Sequence, residues 1–154
     1  MSTTADIWSL PNPHTHSDFY ASVPTKRAVA WVFDMVLIAI TATLLLPFTL
    51  FLGILIFPVM ILVVGFLYRW FSIASSSATP GMRIMGLELR TIAGERLSSG
   101  TALAHTLCYT ISIAVFPLQL ISILLMLTSS YKQGLTDHVL GTTALNRALY
   151  ARDR

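Results

Sequence analysis

Charge is what this chain has least of. Only 11% of its 154 residues are charged, while 55% are hydrophobic, against roughly 25% charged residues in an ordinary soluble domain. Seven acidic and ten basic side chains cannot cover a water-facing surface with interspersed charge, which excludes a soluble globular domain. The apolar excess, with mean hydropathy +0.71, equally excludes disorder, so the remaining solvent is a lipid bilayer. Cysteine is nearly absent too: Cys108 stands alone, so no intramolecular disulfide can form and no Cys/His cluster suggests structural zinc. There is no P-loop, nucleophile elbow or pair of carboxylates on one helix. The expectation is therefore a protein with no catalytic residues, no metal, no cofactor and no nucleic-acid partner.

Between Arg27 and Arg69 the one charged residue is Asp34, and that apolar run is about twice the ~20 residues a helix needs to cross the hydrocarbon core. Two helices are expected, at residues 26–46 and 50–70, broken at Pro47, with Pro58 as a kink inside the second. A second apolar stretch, residues 97–131, is too long for one span of a ~30 Å core. Phe116-Pro117 near its middle divides it into arms at 99–115 and 118–130, although one long tilted helix is an alternative.

Basic residues bear on that choice. Lys26 and Arg27 precede the first span, Arg69, Arg83, Arg90 and Arg96 lie in the middle loop, and Lys132, Arg147, Arg152 and Arg154 follow the last arm, while the Pro47 connector has none. The positive-inside rule places that connector outside. Bending at Pro117 puts all ten basic residues on the cytoplasmic side. The expected fold is thus all-α, with four membrane-embedded helices (three spans being the alternative), both termini on the cytoplasmic side, and a domain over residues 24–147. Residues 1–23 read as a flexible cytoplasmic tail, its Trp8, Phe19 and Tyr20 available to headgroups, and residues 148–154 as a C-terminal tail. His14 and His16 read as solvated side chains.

Several polar groups stand where a bilayer should exclude them. Arg27 and Asp34 are two helical turns apart and share a face; a carboxylate ~10 Å below the interface must be paired, protonated or turned into the bundle. It is either a proton or cation site or a fixed anchor between helices. Thr101, His105, Cys108 and Ser112 form a stripe down one helical face, as do Gln119, Ser122, Met126 and Ser129. Such stripes pack helices together or line a pathway, and His105 is a candidate proton relay. In the loop, Thr79 can cap a short helix that begins at Pro80. The alternation of residues 87–91 followed by Ala93-Gly94 predicts a small cytoplasmic β-hairpin. Arg83, Arg90 and Arg96 on that loop are candidates for anionic headgroups.

These landmarks together resemble the RDD family of small bacterial membrane proteins, named for one arginine and two aspartates. The arginine and first aspartate match Arg27 and Asp34. A Thr-Pro-Gly-x-Arg motif matches Thr79-Pro80-Gly81-Met82-Arg83, and the second aspartate matches Asp137 within Gly134-Leu135-Thr136-Asp137-His138-Val139-Leu140-Gly141-Thr142. Members often carry lysine where Met82 stands and histidine where Thr136 stands; His138, on the other side of Asp137, is a candidate substitute and second proton relay. The resemblance implies transport of a small ligand or cation/proton exchange. The alternative is an accessory role in a larger membrane complex, and either reading suits a homo-oligomer or a complex. Asp137 is expected to cap the helix that follows it, accept from Thr79, or pair with Arg83 or Arg27.

Overall fold

The computed structural model describes residues 10–50 and 52–152; Trp8 lies outside them. Helix α1 (Val23–Leu45) leads through two 3-10 turns, Leu46–Thr49 and Leu52–Ile54, into α2 (Phe57–Ser76). Short α3 (Pro80–Ile84) and strand β1 (Leu87–Thr91) follow, then α4 (Ser99–Ala114) and α5 (Phe116–Thr128). Helix α6 (Leu135–Leu140), strand β2 (Thr142–Asn146) and α7 (Arg147–Arg152) end the described chain. The stretch read as a C-terminal tail thus begins as helix.

Helices α1 and α2 are each long and apolar enough to cross a membrane, and α4 with α5 qualify together as a pair bent by 115°. Large apolar side chains stand exposed along them, among them Val36, Ile40 and Leu44 on α1 and Val59, Leu62 and Phe71 on α2. In water this surface would drive aggregation; in a bilayer it meets its own solvent. The bend at Phe116-Pro117 is where the sequence puts it, because proline is tolerated in the first turn of a helix and not in its interior. The end of α5 turns back: Leu135, just beyond it, donates to Ser122 Oγ at 3.0 Å, and the Tyr131 carbonyl accepts from Thr143 in β2. The chain beyond α5 therefore returns to β2.

Pro58 does not kink a span. It lies in the first turn of α2, where its missing N–H has no helical partner to lose. The helix consequently begins later than expected and runs on to Ser76, so Arg69, at the very end of the expected span, lies about two turns inside the helix.

The predicted hairpin is absent as well. Gly94, at φ 78°, does turn the chain, but β1 pairs antiparallel with β2, Leu87 opposite Asn146 and Thr91 opposite Thr142. Residues beyond the turn are drawn away because Leu97 is buried and its N–H donates to Ser77 Oγ at 2.9 Å, leaving the β1 edge to a strand some fifty residues on. One face of the ribbon sends Leu87, Leu89 and Ala144 into a core with Val23, Ala30, Ile73, Met82 and Ala102. The other carries Leu145 against Phe19 and Tyr20, and Glu88, ion-paired to Arg90. Arg90 is thus buried within the fold and unavailable to headgroups; Arg96 remains 58% exposed.

The segment before α1, read as a loose tail with its aromatics at headgroups, is docked over its described part. Phe19 and Tyr20 are buried, and Asn146 Nδ2 donates to the carbonyls of Asp18 at 2.8 Å and Ala21 at 3.1 Å while its Oδ1 accepts from Lys26 at 2.6 Å. Without the amide, two part-buried hydrogen bonds are lost, at about 0.5–1.5 kcal/mol each. Asn146→Ala should strip hydrogen-exchange protection from residues 17–21 while leaving that of α1 beyond Ala30 unchanged; equal protection in both proteins would show that the aromatic contacts alone hold the segment.

Candidate functional site

Helix α1 is held by two carboxylate clusters on the face shared by Arg27 and Asp34. Asp34, 2% exposed, accepts from three donors: Tyr68 hydroxyl of α2 at 2.7 Å and the Gly81 amide at 2.8 Å on Oδ1, and Thr79 hydroxyl at 2.6 Å on Oδ2. Thr79 serves twice, since its oxygen also accepts the Met82 amide as the N-cap of α3. The cap at Thr79 and helix start at Pro80 are as the motif implies. Gly81 is required by proximity: a Cβ there would lie 2.3 Å from the Ala30 carbonyl and 2.7 Å from Asp34 Oδ1.

The second cluster centres on Asp137, fully buried in α6. Arg27 Nη1 donates to its Oδ2 at 2.5 Å, and the Gly134 amide donates to the same oxygen at 3.0 Å. Thr142 hydroxyl at 3.0 Å and His105 Nε2 at 3.1 Å meet Oδ1. Burial alone would push this carboxyl up, but the Arg27 charge, the His105 contact and the Gly134 amide outweigh it and hold the group well below the ordinary carboxylate range. Gly141, at φ 61°, closes α6 in a left-handed conformation and passes the chain to β2.

Arg27, of the two arginines named, is the partner of Asp137. Arg83 is exposed on α3 and forms no ion pair among the described residues. Asp137 caps the helix it belongs to, reaching back to Gly134, and Thr79 goes to Asp34 instead. The His–Asp pair exists with His105 from α4, not His138, whose Nδ1 lies 3.0 Å from the Gly134 carbonyl of its own helix. A coupling across 32 residues has no local signal; only the stripe containing His105 hints at it.

A third group escapes sequence reasoning, because Arg69 reads as a loop cation. Its Cζ lies 3.8 Å over the Tyr109 ring, and its Nη1 is 3.8 Å from Asp34 Oδ2, beyond hydrogen-bonding distance. Tyr109 hydroxyl accepts from Trp31 Nε1 at 2.7 Å. Two cavities meet at this trio. The larger, about 760 Å³, lies between α1 and the α4–α5 bend and is bordered by Arg27, Asp34, His105, Ser112, Gln119 and Ser122. The smaller, about 240 Å³, reaches toward the start of α2 at Pro58 and Ile61. Members of both polar stripes thus face one cleft, joined across the bend by Ser112 Oγ donating to Gln119 Oε1 at 3.1 Å.

Bundled apolar helices, a buried ribbon at one end and a cleft with a few polar groups on a largely apolar wall define a helical membrane protein with a cavity between its helices. The family model described as the RDD family matches residues 21–141, most of the chain, and the protein belongs to that family. No curated protein and no solved structure matches it.

Gly81→Ala should break the Asp34 cluster and lower unfolding stability by roughly 2–4 kcal/mol. Gly100→Ala, whose Cβ would meet nothing nearer than 3.9 Å, should be neutral; equal melting of the two variants would contradict the close approach. Asp137 gives a pH signature. Because its folded carboxyl titrates below the unfolded one, its stabilisation is complete above about pH 4 and is lost only as pH falls through the folded value in strong acid. The stability deficit of Asp137→Asn should be constant from about pH 8 to pH 5 and shrink on further acidification; a deficit that shrinks near neutrality would be inconsistent.

Proposed function

We propose that this RDD-family protein moves or exchanges a small ligand across a bacterial inner membrane through the cleft between α1 and the α4–α5 bend. One observation carries the reading: the larger cavity and the smaller crevice share one wall of five side chains, Trp31, Asp34, Arg69, Tyr109 and Ile113, which border both. A path interrupted by one layer of side chains is what alternating access needs. Distribution of basic residues supports four membrane-embedded helices with the ribbon and both termini cytoplasmic, since the connector opposite them carries no Lys or Arg. In this reading Arg27, Asp34 and Asp137 frame the cleft, and the pair His105–Asp137 forms part of its cytoplasmic wall. No reaction chemistry is invoked, and a second copy in the membrane would help enclose the cleft.

A specific observation favours the accessory role as the second reading: both Asp34 oxygens are already hydrogen-bonded, as a fixed anchor requires and as a proton or cation carrier does not. Water access separates the two. In a Cys108→Ser background, Ser112→Cys should react with a membrane-impermeant maleimide from the cytoplasmic side, and Ile61→Cys from the opposite side. If neither cysteine reacts from any side in intact vesicles, the cleft is sealed and the transport reading fails.

A further inference from the structure

The Arg69 guanidinium is held in the helical bundle only by a long ion pair to Asp34 at 3.8 Å and by the Tyr109 ring beneath it. Its side chain is 15% exposed and sits seven residues before the end of α2, ~10 Å along the helix. Among the described residues it makes no hydrogen bond: its one carboxylate neighbour is 3.8 Å away and its remaining contact is the Tyr109 ring. Asp34 does not need it, having three closer donors. Tyr109, likewise, uses its oxygen as acceptor for Trp31 and keeps its proton free. Gln119 accepts through Oε1 from Ser112, leaving its amide protons free. All three side chains border the 760 Å³ cleft, whose volume falls within the roughly 300–1,000 Å³ of small-molecule sites.

A guanidinium in this setting is costly unless an acceptor meets it. Its planar fork matches a carboxylate through two parallel hydrogen bonds, and a monoanion is cheaper to desolvate at this depth than a doubly charged phosphate. The cleft beyond the donors is apolar, walled by Val32, Ile113, Ile123, Met126 and Leu127.

We propose that the cleft binds a carboxylate amphiphile, its head on Arg69, Tyr109 and Gln119 and its chain along the apolar wall toward α5. This names a ligand class for the cleft and rests on the cleft being a ligand path; binding alone can stand without transport.

The test is binding of tritiated dodecanoate to the purified protein in nanodiscs, with dodecanol, dodecyl phosphate and dodecyltrimethylammonium as competitors. Dodecanoate should compete at least about tenfold better than dodecanol, a difference expected of a charge-assisted bidentate contact, and the cationic amphiphile should not compete. Arg69→Gln should weaken binding by about tenfold or more, and Tyr109→Phe, which keeps the ring beneath Arg69, by a few-fold. Arg83→Gln, on the exposed face of α3, should bind as wild type. Dodecanol competing as well as dodecanoate overturns the proposal, and so does stronger competition by dodecyl phosphate, which would mark a different anion site. Unchanged affinity in Tyr109→Phe also overturns it, and this variant decides the matter if Arg69→Gln fails to fold. Carboxylate binding with neither cysteine labelled would leave this site standing and remove transport; labelling of both without binding would do the reverse.

Discussion

A charge in hydrocarbon must be answered locally, and the architecture follows from how this chain answers three of them. An ionisable group at the middle of a membrane helix costs at least ~2.5 kcal/mol on insertion scales, and a buried pair broken on one side costs about 3–5 kcal/mol. Asp34 and Arg27 lie on one face of α1, so satisfying both at once fixes that helix in rotation and height. Asp34 is answered from α2 and the start of α3, and Arg27 from α6. Because α6 also meets α4 through His105, two side chains on one helix locate α2, α3, α6 and α4 around the cleft, and Ser122 ties α5 to the start of α6.

That organisation gives the family's hallmark residues a physical role. Each of the two aspartates accepts from three or more protein donors, and the arginine is ion-paired to the second of them, which suits a frame. Unspent hydrogen-bonding capacity lies with Arg69, Tyr109 and Gln119, outside the family motifs.

Much of this architecture is legible in the amino-acid sequence. The extent of α1 follows from the apolar run, the bend from Pro117, and the cap of α3 from Thr79-Pro80, because each is a local effect of hydropathy or backbone chemistry. Pairing between distant segments is not legible. Nothing in Thr142-Thr143-Ala144-Leu145-Asn146 says that it will displace a local hairpin from β1, and nothing near His105 says that Asp137 will arrive beside it. Arg69 is misplaced by the sequence for a more specific reason: hydropathy locates the centre of a span but not its ends, and taking Pro58 as a kink shifts α2 toward the N-terminus. Moving the helix to Phe57–Ser76 carries Arg69 from the edge of the span into the bundle.

The central claim is that Arg27 and Asp137 act as one unit holding α1 to α6. A double-mutant cycle on unfolding stability with Arg27→Gln, Asp137→Asn and the combined variant tests it most directly. A coupling of about 2–4 kcal/mol is expected, with the double variant more stable than the sum of the two single losses implies, because each single change strands a buried partner. Additive losses, with coupling below about 0.5 kcal/mol, would contradict the account.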